Sequence, residues 1–232
     1  MKNVVLASSS TIYGSGYLEY LQPELKKLFG QVSKILFIPY ARPGGISYDA
    51  YTEIAKEGFS FMKIKVQGIH EFKDAKLAIE QAEAIFVGGG NTFVLVSKLY
   101  KLTIMETLKA KIESGTPYLG TSAGSNICGM TMQTTNDMPI VPTANFQTLE
   151  LIPFNLNVHF ISADIHSTHK GETRETRIKE YHMFNKTPVI GLQEGSWLHI
   201  IGNQIFLRGS LQAYLFEKQK PVNILKPNTS VL

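Results

Sequence analysis

Short apolar runs alternate with helical patterns through the first two thirds of the chain, and nothing else in the sequence limits the fold as much. Residues 4–7, 35–38, 64–69, 84–87 and 117–120 are strand-like. Helical spacing covers residues 17–29, with Leu18, Leu21, Leu25 and Leu28 on one side, and residues 47–56, 73–82, 92–98 and 104–113. Apolar strands separated by helices specify a mostly parallel sheet covered on both faces. In such sheets ligands collect beyond the carboxyl ends of the strands. Two glycine-rich turns fall at that edge, Gly88-Gly89-Gly90-Asn91 and Gly120-Thr121-Ser122-Ala123-Gly124.

The last third changes character. Phe154, Leu156, Val158 and Phe160 alternate, as in a strand with one apolar face, and residues 171–184 form a charged helix. Residues 198–201 and 204–207 flank Gly202-Asn203, which predicts a β-hairpin near the C-terminus. Residues 226–232 are expected to be a loose tail. With 232 residues, 44% hydrophobic and 18% charged, the expectation is one domain over 1–232 with a core that needs no cross-links. One cysteine, Cys128, excludes an internal disulfide framework and points to a reducing compartment. No run approaches the roughly 20 apolar residues of a membrane helix, so a cytoplasmic protein without membrane association is expected. The net charge of +4 comes from scattered basic residues, a solvated surface rather than a nucleic-acid face.

The second glycine turn fits G-x-S-x-G. Small neighbours let a strand turn sharply into a helix and lift the Ser122 hydroxyl clear of the sheet. The N–H of Ala123 would then face a developing oxyanion. The first turn lacks both the dinucleotide and the P-loop pattern, because Phe93 replaces the last glycine and no G-K-[ST] follows. Gly89 and Gly90 are therefore expected as further oxyanion donors, with Asn91 as a substrate contact or a helix cap. A serine nucleophile needs a base and an acid to orient it. His159, at the end of an apolar run and expected to be largely desolvated, is the candidate base. His70 and His199 lie in strand-like segments without acidic clustering. Asp137 and Glu194 are both candidates for the acid. Glu194 directly follows a buried strand and precedes Gly195, which favours it as the contact to His159 and leaves Asp137 to support the pocket. A metal site on His159, His166 and His169 is the rival constellation, and Cys128 is expected to be a buried structural thiol.

Six blocks in order carry a resemblance: Gly88-Gly-Gly-Asn-Thr-Phe93, Gly120-Thr-Ser-Ala-Gly124, Thr134-Thr-Asn-Asp-Met-Pro-Ile-Val141, Asn157-Val-His-Phe160, His169-Lys-Gly-Glu-Thr-Arg-Glu175 and Gly191-Leu-Gln-Glu-Gly195. Together they resemble the peptidase E, or α-aspartyl dipeptidase, family across essentially the whole chain. The resemblance implies a three-layer α/β/α sandwich similar to class I glutamine amidotransferases. It also implies hydrolysis of dipeptides with N-terminal aspartate, without metal or other cofactor. Carried over by motif, Ser122 is the nucleophile, His159 the base, Asp137 and Glu194 the acidic positions, and Arg174 the partner of the substrate's aspartyl side chain. A monomer or small homo-oligomer is expected. The stretch 162–168 departs from the family pattern, which bears on fine substrate preference. A cyanophycinase-like peptidase, or a relative that binds without turnover, is the alternative.

Overall fold

A computed structural model describes residues 1–162 and 171–231. Its main sheet has seven strands in the order β3-β2-β4-β5-β1-β8-β9. Strands β1 (Asn3–Ala7), β2 (Lys34–Ile38), β3 (Lys65–Gly68), β4 (Ile85–Val87) and β5 (Tyr118–Thr121) are parallel. Strands β8 (Ser196–Ile201) and β9 (Gln204–Gly209) form the hairpin at Gly202-Asn203 and add antiparallel at the β1 edge.

Each central strand is apolar on both sides and feeds two cores. Val4 and Leu6 of β1 enter one cluster, whereas Val5 and Ala7 enter the other. Helices α1 (Gln22–Phe29) and α2 (Tyr48–Gly58) cover the second face through Leu25, Phe29, Tyr51 and Ala55. Helices α3 (Ala75–Glu80), α4 (Thr92–Lys101) and α5 (Met105–Glu113) cover the first through Ile79, Leu95, Leu99, Leu108 and Ile112. The result is the three-layer α/β/α arrangement. Side chains of Ser47, Asp74 and Asn91 accept hydrogen bonds at the starts of α2, α3 and α4, each worth ~1 kcal/mol. The expected helix over 17–29 is shorter than its periodicity, because Leu18 takes a left-handed φ of 59° and a 3-10 turn precedes Pro23 at the first turn of α1.

A second sheet, in the order β11-β10-β7-β6, was not legible as a sheet. Strand β6 (Asn155–Val158) runs parallel to β7 (Val189–Leu192), and β10 (Ala213–Phe216) and β11 (Asn223–Leu225) add antiparallel. Helix α7 (Arg174–Phe184) packs on it through Ile178, beside Phe160, Val189 and Phe216. Two expectations need correction here. Strand β6 is buried on both faces, since Asn155 and Asn157 lie inside with Leu156 and Val158. The final residues are not loose: Leu207 donates to Thr229, Asn228 to Leu207, and Val231 to Ile205.

Candidate active site

The functional side chains cluster where strands of both sheets end. Strand β5 finishes at Thr121, and the next residue, Ser122, sits at φ 52° and ψ −111° before the short helix α6 (Ala123–Asn126). Such a conformation costs about 1–3 kcal/mol in a residue with a side chain and persists only where packing holds it. The hold is visible. Ser122 N–H donates to Ala7 O at 3.1 Å, and Ser122 O accepts from the N–H groups of Ser125 and Asn126, each at 2.9 Å. A Cβ at Gly124 would collide with the Val87 carbonyl, and one at Gly120 with the Gly124 carbonyl, so both glycines are required for the bend.

Strand β6 ends at Val158, and His159 follows with φ 54°. The left-handed residue breaks the in–out alternation and swings the imidazole toward Ser122. His159 Nε2 lies 2.9 Å from Ser122 Oγ. The other ring nitrogen, Nδ1, lies 2.6 Å from Glu194 Oε1. Glu194 follows β7 by two residues, and Gly195 at φ 85° permits the turn that carries it there. The histidine is not desolvated as expected: its side chain is 36% exposed and that of Glu194 is 56% exposed. The same positive φ that aims the ring also lifts it out of the apolar run.

Asp137 lies elsewhere. Its Oδ2 accepts from Thr92 N–H at 2.7 Å, Thr92 Oγ1–H at 2.6 Å and Thr135 Oγ1–H at 3.0 Å. It thereby caps the positive end of α4 as a bound anion would. Asn126 Nδ2 donates to both threonine hydroxyls, tying the helix after Ser122 into the same network. Asn157 Nδ2 donates to Thr134 O and Asn136 Oδ1, and Asn136 Nδ2 donates to Val158 O. These bonds pin the 134–137 segment against β6, one residue from His159.

Gly89 faces Ser122, since a Cβ there would stand 3.0 Å from Ser122 Cβ. Gly90 has φ 144°, and a Cβ there would collide with the Ala41 carbonyl, which accepts from Asn91 N–H at 2.7 Å. Tyr51, from the aromatic core with Phe37 and Phe86, donates to Gly89 O at 3.2 Å and supports this turn from beneath. Asn91 spends both ends of its amide within the chain: Oδ1 accepts from Val94 N–H and Nδ2 donates to Met138 O. Ala123 opens α6 directly after Ser122. Arg174 is the first residue of α7 and is half-buried. Burial, and then the neighbouring Arg177, depress its pKa below the usual arginine value, while Asp137 opposes the shift.

The remaining candidates fall outside this constellation. His166 and His169 lie outside the described residues, as does most of the departing stretch 162–168. Among the described residues no three His, Cys, Asp or Glu side chains come together as a metal site would require. Cys128 is fully buried, and burial pushes its thiol up to about 12. His70 and His199 do have acidic partners, from distant segments: Asp49 and Glu24, each at 2.8 Å. No described helix is long and apolar enough to cross a membrane.

Sequence reasoning missed Ser8, Thr92, Asn126, Asn157 and Tyr51. The two asparagines alternating within an apolar strand were the available signal, since a buried amide must find partners. Ser8 was one of three consecutive serines and nothing distinguished it.

Comparison with known proteins places this geometry in a lineage. The sequence model of peptidase family S51 matches residues 4–208. Peptidase E of Streptomyces coelicolor is 42% identical over 216 residues, covering 93% of this chain and 88% of its own. A Drosophila melanogaster protein named "Probable alpha-aspartyl dipeptidase" is 38% identical over 229 residues, covering 97% of this chain and 94% of its own. The crystal structure of a peptidase from an acI-B1 actinobacterium superposes with a TM-score of 0.74 at 15% identity, over 100% of this chain and 96% of that one, which is a likeness of fold. A family match over residues 4–208, with relatives near 40% identity along almost the whole length, makes this chain a member of peptidase family S51.

Proposed function

We propose that this chain is a serine-type dipeptidase that removes N-terminal aspartate from dipeptides through an acyl-enzyme on Ser122. The observation that carries the proposal is the continuous chain from Ser122 Oγ through both nitrogens of His159 to Glu194, at 2.9 and 2.6 Å. With Nδ1–H held by the Glu194 carboxylate, the Nε2 lone pair faces the hydroxyl and serves as general base. The hydroxyl attacks the aspartyl carbonyl carbon as its proton passes to Nε2. The resulting oxyanion is received by N–H groups of Ala123 and of the Gly89-Gly90 turn. His159 then returns the proton to the departing amine as the C–N bond breaks. Water, deprotonated by His159, adds to the ester; the ester bond breaks and Ser122 recovers its proton.

Arg174, half-buried at the start of α7, pairs with the substrate's β-carboxylate in this reading. A cation whose charge is disfavoured by burial gains from an incoming carboxylate more than a solvated one does. Asp137 is assigned the support of α4 and the pocket wall rather than the orientation of His159. The buried single thiol suits a reducing compartment, and we place the enzyme in the cytoplasm. The test is a panel of X-Leu dipeptides with the purified protein and Ser122→Ala. Asp-Leu is expected to be cleaved in strong preference to Asn-Leu and Ala-Leu, and Ser122→Ala to lose roughly 10⁴-fold or more in kcat. Wild-type turnover by Ser122→Ala would end the serine mechanism.

A further inference from the structure

The nucleophile belongs to the seven-stranded sheet, whereas His159 and Glu194 follow strands of the four-stranded sheet. Among the described residues no backbone ladder joins the two sheets, so the 2.9 Å contact between Ser122 and His159 depends on the packing and side-chain hydrogen bonds that hold one sheet against the other. An apolar cluster packs the two sheets together through Leu6, Leu198, Val158 and Leu192, and the polar link beside the site is Ser8, the first residue beyond β1 and fully buried. Its Oγ accepts from His159 N–H at 2.8 Å and donates to Leu192 O at 2.8 Å. Its own N–H donates to Ser196 O at 3.1 Å. Leu192 is the last residue of β7, two before Glu194, and its carbonyl also accepts from Phe160 N–H at 3.1 Å. The preceding residue, Ala7, accepts from Ser122 N–H at 3.1 Å and from Ser125 Oγ at 2.7 Å. Two consecutive residues of β1's end therefore hold the backbones of the serine, the histidine and the strand that carries the glutamate.

We propose that the Ser8 hydroxyl is the positioning residue of this site, setting the backbone of His159 so that its ring meets both Ser122 and Glu194. The proposal rests on the serine-peptidase reading above. Its physical content lies in the φ of 54° at His159. A residue with a side chain does not hold a left-handed φ without compensation. Here the N–H released from the β6 ladder finds its acceptor in Ser8 Oγ. Without that acceptor the N–H is left unsatisfied and the strain unopposed. Relaxation to extended backbone would restore the strand's alternation and turn the imidazole away from Ser122. Ser8 reaches no reacting atom; its effect passes through the ring.

A fluorophosphonate tests this independently of dipeptide binding. Ser122 Oγ displaces fluoride from phosphorus as His159 takes the hydroxyl proton, so the labelling rate reports the aligned pair. Ser8→Ala is expected to slow labelling and kcat about 10–100-fold, the scale of a 1 Å misplacement, with KM within about threefold. The downfield proton resonance of His159 Nδ1–H against Glu194 should broaden or vanish in the folded variant. Ser8→Cys, near-isosteric but a weak hydrogen-bonding group, should behave like Ser8→Ala and serves if the latter does not fold. Ser8→Thr retains the hydroxyl and should label faster than either, even where its added methyl lowers the melting temperature more. Labelling of Ser8→Ala or Ser8→Cys at the wild-type rate, with the resonance intact, would overturn the proposal alone. A wild-type protein unlabelled at Ser122 would overturn it together with the serine mechanism.

Discussion

Glu194 contacts His159 whereas Asp137 caps α4, and replacing each acid with its amide should separate their work. In Asp137→Asn the amide oxygen still accepts from Thr92 and Thr135, so what disappears is the negative charge at the start of α4. A charge at a partly buried helix N-terminus is worth up to ~2 kcal/mol, and conversion of charge-assisted hydrogen bonds to neutral ones costs a similar amount. A loss of about 1–2 kcal/mol in a chain of this size lowers the melting temperature by about 2–8 °C. The effect on kcat should stay within about tenfold, because the His159 ring keeps both of its partners. Glu194→Gln reverses the pattern. Its carboxylate is 56% exposed and makes its short contact to His159 Nδ1, so stability should change little. An amide there can present its NH2 to the ring and favour the wrong tautomer, which drops kcat by up to about 10⁴-fold. Thermal melts and Asp-Leu kinetics on both variants decide the matter. If Asp137→Asn collapses kcat by a thousandfold at unchanged melting temperature while Glu194→Gln stays active, the assignment of the orienting acid is wrong.

Arg174→Met should reduce kcat/KM for Asp-Leu by roughly 2–5 kcal/mol of transition-state binding while leaving the slow cleavage of Asn-Leu nearly unchanged; equal losses on both substrates would remove Arg174 from substrate recognition. Glu24 makes a 2.8 Å contact with His199 in a nearly buried setting, and that hydrogen bond, opposed by burial, holds its carboxyl below the ordinary value of 4.5. A depressed carboxyl adds stability that is present above the unfolded value and is lost as pH falls through the folded one. Glu24→Gln should therefore cost about 1–3 kcal/mol at pH 7 in urea unfolding, and the gap should narrow as pH falls below 4.5 and the carboxyl takes up its proton; a gap that stays constant throughout the acid range would contradict this.

The parallel strands were legible because each is short, apolar on both sides and separated from the next by a helical repeat. The hairpin was legible from Gly202-Asn203, Ser122 and Glu194 were flagged by their place just beyond a strand, and His159 by its place at the end of an apolar run. What escaped was long-range. Strands β10 and β11 are short, and their half-exposed residues Tyr214, Leu215 and Ile224 give no clean period. The 226–231 segment gains its order from main-chain bonds to β9, which side-chain patterning does not encode. Leu18, Ser122 and His159 take positive φ without being glycine, so no composition signal marks them. The acidic partners of His70 and His199 lie 21 and 175 positions away, which is why the sequence neighbourhood of each looked neutral.

The solitary cysteine has a use outside catalysis. Cys128 follows α6 by two positions, is inaccessible to solvent, and its carbonyl accepts from the N–H groups of Leu151 and Ile152. A thiol enclosed this way, with its ionisation pushed up to about 12, cannot meet a disulfide reagent until the structure around it opens. The chain thus carries a built-in clock. Its rate of modification by a small aromatic disulfide measures how often the region behind Ser122 comes apart, one chemical event per molecule and with no second thiol to confuse the count.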